Sequence, residues 1–229
     1  MMAQTTLAQT IRARRIAGEI PLDARNPAPE WSSAFPVTFC ADWRGRNPDP
    51  ARQTEVRVLW TPHTLYLRFI CRYRELFLFD DSDPNGRRDQ LWDRDVAEAF
   101  LQPDPLRPRH YKEFEVSPNG MWIDLDIGPL SELSLGDLSG DSAPASPRNL
   151  QSGMRRLVWL NQAEQIWTAE LAIPMKALTA NFDPAAPWRA NFYRVEGKRE
   201  PRFYSAWHPT KTPQPNFHVP EAFGYLRFA

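Results

Sequence analysis

This sequence is short of glycine, short of cysteine and without a surplus of charge, and each shortage excludes something. Ten glycines in 229 residues, against 23 prolines, leave no glycine-rich loop of the kind that cradles phosphate and imply loops stiffened by proline. The two cysteines, Cys40 and Cys71, make no CxxC motif; both sit in apolar stretches and read as buried thiols, a single disulfide remaining open. Lys plus Arg and Asp plus Glu each total 28, so there is neither a basic stripe for nucleic acid nor an acidic arm. No apolar run is long enough to span a bilayer. Thr10-Ile11-Arg12-Ala13-Arg14-Arg15 breaks any secretion signal in the first twenty residues, so the chain reads as cytoplasmic unless an export signal is absent from this version. The histidines His63, His110, His208 and His218 have no metal-ligand spacing.

What is present is a period of two. Residues 64–72 put Leu65, Leu67, Phe69 and Cys71 on one face, and residues 55–60 alternate likewise through Val56, Val58 and Trp60. Thr61-Pro62-His63-Thr64 joins these runs as a hairpin. A second hairpin spans residues 111–116 and 121–127 around Ser117-Pro118-Asn119-Gly120, and a third spans 155–160 and 167–173. Further strands are expected at 96–101, 189–195, 203–206 and 225–228. Pro174-Met175-Lys176-Ala177-Leu178 alone looks helical, with Leu178 turned inward. Residues 128–153 carry no period and read as one long surface loop. The fold expected is all-β: an antiparallel β-sandwich or jelly roll with one short helix and long loops, spanning residues 20–229 after an N-terminal tail or first edge segment at 1–19.

Two stretches stand out chemically. Trp92 lies in Arg87-Arg88-Asp89-Gln90-Leu91-Trp92-Asp93-Arg94-Asp95, and a large ring among ions is either a packing plug or a platform for a ligand. A pyranose suits such a platform, because its C–H face lies on an aromatic ring while its hydroxyls bond neighbouring charged groups. Residues 207–220 gather Trp207, His208, Phe217 and His218 with Gln214 and Asn216 in a proline-fixed loop, either a cap on the sandwich or a binding wall. Carboxylates are plentiful (Asp93, Asp95, Glu98, Glu113, Glu115, Asp124, Asp126), and two could serve glycoside hydrolysis, but alternating acids on a strand are expected on its solvated face. Asp80-Asp81-Ser82-Asp83 lacks the spacing of a calcium loop and reads as a solvated turn.

The order of these segments resembles a family 9 carbohydrate-binding module, a sugar-binding β-sandwich found attached to xylanases and in many bacterial proteins. The likeness is carried by Ile20-Pro21-Leu22-Asp23 with Trp31, by Thr54 to Trp60 leading into Leu65 to Phe69, by Leu91 to Phe100, by Trp167 to Pro174 and by Phe223 to Phe228. The resemblance implies two aromatic rings clamping a sugar: Trp92 matches the first, with Glu98 beside it, and Phe217 falls at the second. Glu115 falls where an arginine would grip the sugar and Tyr193 near a polar glutamine position. Local chemistry adds Arg94, Asn191, Gln214 and Asn216 as rim donors. The ligand so implied is a glucan- or xylan-type oligosaccharide or polysaccharide chain end, with no catalysis, no nucleic acid or membrane partner and no required cofactor. Calcium is possible by resemblance alone, without a ligand set that maps here. Two rivals stay open: a glycan-active hydrolase using Glu98 and Glu115, and a sandwich that has lost sugar binding and serves as a protein-interaction or haem module, the latter with ligands such as Met121 or His110.

Overall fold

The structure, a computed structural model, describes residues 10–80, 83, 86–129 and 145–229. Its strands are β1 (Thr10–Arg15), β2 (Val37–Phe39), β3 (Thr54–Trp60), β4 (Thr64–Arg72), β5 (Val96–Gln102), β6 (Tyr111–Val116), β7 (Trp122–Pro129), β8 (Ala145–Asn149), β9 (Arg155–Asn161), β10 (Ile166–Pro174), β11 (Trp188–Glu196), β12 (Phe203–Ala206) and β13 (Gly224–Phe228). One short helix, α1 (Met175–Leu178), follows β10 and buries Met175 and Leu178. The strands form one connected path, β8-β7-β6-β5-β11-β13-β1-β3-β4-β10-β9, with β12 on β11 and β2 on β3.

The path curls into two layers. β1 is the strand that joins them, since Thr10 to Ala13 pair in parallel with β13 while Arg14 and Arg15 pair in parallel with β3. One continuous core fills the space between the layers. It takes Val56, Val58, Leu67, Phe69, Trp167 and Leu171 from one side and Ala97, Ala99, Leu101, Phe114, Val116 and Phe192 from the other. The rings of Phe69 and Phe192 meet edge to face across it at 6.1 Å. The expected β-sandwich is thus present, built on the period-two faces that exclude water from apolar side chains.

All three expected hairpins form: β3 with β4, β6 with β7, and β9 with β10. Gly120 takes the positive φ (89°) that closes the second, and Gln165 (52°) sits in the turn of the third. Three strands escaped the pattern. The segment before residue 20 holds β1, which lies inside the sheet path rather than at an edge; its alternation of Ile11 and Ala13 with arginines is only one apolar pair long. β2 has three residues. β8 overturns the single-loop reading of residues 128–153; it escaped because Pro147, Arg148 and Asn149 are exposed on an outermost strand, paired with β7 and tied by Arg87 donating to Asn149 Oδ1 (2.5 Å), so no apolar alternation marks it. Residues 130–144 of that loop lie outside the described residues.

Both cysteines are free; Cys40 is half-buried and Cys71 fully buried, where loss of solvent pushes its thiol up to about 11. No helix among the described residues is long and apolar enough to cross a membrane.

Candidate functional site

The face of β5, β6 and β11 that points away from the inter-layer core carries the site. Alternation sends Ala97, Ala99 and Leu101 inward and Val96, Glu98 and Phe100 outward, so β5 displays its one charge on the outer face. On β6 the inward residues are Phe114 and Val116, leaving Tyr111, Glu113 and Glu115 outward. Register then sets Glu98 directly opposite Glu115, and Phe100 opposite Glu113. A second apolar cluster, with Leu91, Phe100, Tyr111, Tyr193, Phe217 and Phe223, covers much of this outer face, so it is not solvated.

That cover corrects the expectation of a solvated acidic strand face. Asp95, Glu98, Glu113, Glu115 and Asp124 are buried, Asp126 is half-buried, and only Asp93 of the seven is exposed. Asp124 is bonded by the Ser152 amide (2.7 Å) and hydroxyl (2.5 Å). Asp126 receives Nε2 of His110 (2.8 Å) and Nζ of Lys112 (2.7 Å); burial works against its charge, but these two bonds hold it well below the usual carboxylate range. The three glutamates have no comparable support. Each brings a carboxylate oxygen within 4.8 Å of the others, a grouping able to hold a positive ion. Burial first, then the charge of Glu113, raises Glu98 well above the ordinary range; burial, then Glu98 and Glu113, does the same to Glu115.

These glutamates line a cavity of about 500 Å³ whose walls include Phe77, Trp92, Tyr204 and Phe217. The local fold presents Trp92. A tight turn at Leu91–Asp93, entered through Gln90 in a left-handed conformation (φ 57°), drives Leu91 into the outer cluster and leaves Trp92 40% exposed. Arg202 fastens this turn by donating to the Trp92 carbonyl at 3.1 Å and to the Gly197 carbonyl at 2.8 Å. Phe217 reaches the cavity from the proline-rich loop, and its other face stacks on Tyr193 at 4.2 Å and 12°.

Of the residues singled out in the sequence, Trp92, Glu98, Glu115, Phe217, Asn216 and Arg94 line one cavity. Tyr193, expected near a polar position facing the sugar, lies instead beneath Phe217, where its hydroxyl donates to the Phe217 carbonyl (3.0 Å) and accepts from Asn191 Nδ2 (2.7 Å). Asn191 is buried and holds the loop through the main chain of His208, so it is no rim donor, and Gln214 is exposed and outside the lining. Met121 is buried in the outer cluster and His110 is bonded to Asp126, both away from the cavity lining. Asp81 and Ser82 of the acidic turn lie outside the described residues. Glu113, named in the sequence only among the plentiful carboxylates, joins this lining, and Phe77, Tyr204 and Arg202 were not anticipated. Glu113 alone left a trace, since it shares the face of Glu115 two residues along the same strand.

Residues 142–228 match the model of carbohydrate-binding family 9. A curated fungal relative, "Extracellular protein" of Arthroderma benhamiae, is 28% identical over 183 residues, covering 78% of this chain and 80% of its own length. The fold recurs in the crystal structure of a Bacteroides uniformis protein, 16% identical, with a TM-score of 0.67 over 96% of this chain and 99% of the other. It recurs again in a family 9 module of Caldicellulosiruptor kristjanssonii in complex with cellotriose, 13% identical, TM-score 0.62, covering 96% and 93%.

Proposed function

Starting from the family 9 match over the later strands and the family's fold over nearly the whole chain, we propose that this protein binds a saccharide and leaves its bonds intact. The observation that carries this reading is the exposed Trp92 ring on the wall of a cavity of about 500 Å³, a size that suits one or two sugar units, with Phe217 on the same cavity and carboxylates on its floor. The ligand is an oligosaccharide or chain end, and the cellotriose held by the Caldicellulosiruptor module supports a backbone of the glucan or xylan type. The name of the fungal relative supports action outside the cell.

The arrangement of the acids favours binding over hydrolysis. A glycosidase sets two carboxyl groups on opposite sides of the scissile bond, about 5 to 9 Å apart. Here Glu98 and Glu115 are direct cross-strand neighbours, and all three glutamates bring oxygens together within 4.8 Å, leaving no room for a sugar ring between them.

The test is tryptophan fluorescence titrated with cello- and xylo-oligosaccharides. A cavity of this size should give dissociation constants of roughly micromolar to millimolar. Trp92→Ala should weaken binding about tenfold or more while lowering the thermal midpoint only by a few degrees, because the ring is 40% exposed and lies outside the inter-layer core. Undiminished binding in Trp92→Ala would remove the ring from the site.

A further inference from the structure

The glutamate floor poses a question that a neutral sugar does not answer. Glu98, Glu113 and Glu115 are each at most 2% exposed, yet both oxygens of Glu115 and Oε2 of Glu113 have no hydrogen-bond partner. Like charges directly opposite on paired strands destabilise a sheet, and an uncompensated buried carboxylate is costlier still. Of the cations lining the cavity, Arg202 reaches Glu98 only through the field of its charge, its bonds going elsewhere, and the others lie over rings or at the mouth. Arg202 bonds two main-chain carbonyls and pairs with Asp95; Arg94 lies over Phe77 and Phe79 at 4.1 and 4.4 Å; Lys198 is exposed. The floor is therefore shaped for a positive group that arrives with the ligand.

Resting on the saccharide reading above, we propose that the ligand is an amino sugar whose free ammonium group sits among Glu98, Glu113 and Glu115. An ammonium group offers three N–H donors and no acceptor, the complement of three converging carboxylates. Donors arranged tetrahedrally at ordinary N···O lengths of about 2.9 Å place their acceptors about 4.7 Å apart. The three oxygens lie within 4.8 Å of one another, so a single ammonium group can reach all three. The sugar ring then lies against Trp92 or Phe217, whose faces also favour a nearby cation. A bare calcium ion would leave the aromatic walls and most of the cavity without a role. An acetylated amine carries no charge and offers the floor one N–H donor in place of three.

The experiment is calorimetric titration of the whole protein with four probes: the β-1,4-linked dimer of glucosamine, its N-acetylated counterpart, cellobiose and calcium chloride. The expected result is that the free-amine dimer binds about tenfold or more tighter than the other two sugars, as charge-assisted bonds require. Glu115→Gln should erase that preference without lowering the thermal midpoint, and Glu113→Gln provides the same reading should the first variant fold poorly. Equal affinity for the free-amine dimer and cellobiose would overturn the ammonium site while leaving saccharide binding in place. Saturable calcium binding lost in Glu115→Gln, without amine preference, would make the floor a metal site and overturn the proposal. Heat from no sugar would overturn the saccharide reading and this one together.

Discussion

Leu91 and Trp92 are neighbours in the chain with opposite surroundings: the leucine is buried without exposure and the tryptophan stands 40% exposed. A single tight turn separates them, and the sequence signals only that a large ring lies among charges. Platform or plug could not be decided there, because burial depends on what the rest of the chain lays over the ring. His208 shows the same limit. Burial, with Arg189 as a secondary cause, lowers its pKa to about 4, so the folded state holds it neutral. Because the unfolded chain takes the proton first as pH falls from about 6.5 towards 4, this residue's contribution is present at neutral pH and lost across that window. Urea unfolding at about pH 7 and pH 5 should show a loss for the wild type that is smaller by about 1 to 2 kcal/mol in His208→Gln. An identical loss in the variant would place the titrating group elsewhere.

At the scale of elements, the hairpins were readable because each joins two apolar-alternating runs through a short polar turn, and the turn chemistry is local. β1 was not readable: six residues carrying four polar side chains show no sign that both edges find partners from distant parts of the chain. Its importance is nonetheless large, since Ile11 is 1% exposed in the inter-layer core. Ile11→Ala should cost about 2 to 5 kcal/mol in a denaturant titration. Leu157→Ala on β9, where the side chain is 43% exposed, should stay within about 0.5 kcal/mol. Comparable losses at both positions would mean that β1 does not tie the layers together.

Across the whole molecule, a core shared by both layers and a strand paired with each of them leave no plane along which the sandwich could come apart in two steps. Thermal unfolding should therefore be one transition, with far-ultraviolet circular dichroism and tryptophan fluorescence giving the same midpoint. Separate midpoints would show that the layers melt independently. The site lies on the outer face, away from that shared core, so loss of the Trp92 ring removes no contact from it.

The sequence by itself determined the all-β class, the three hairpins, the resemblance to family 9 and the candidate pair of rings. Those follow from period-two burial and local turn chemistry, which act over a few residues. Tertiary structure alone decided that Trp92 and Phe217 share one cavity, that Tyr193 supports a ring instead of lining the floor, and that the acids of β5 and β6 are buried. The reason is physical: alternation says which side chains share a face of a strand, but the second covering that buries an outward face comes from loops far away in the chain. Here residues around 91 and 217 close over Glu98, Glu113 and Glu115 and turn what would be a solvated row of charges into the floor of a site.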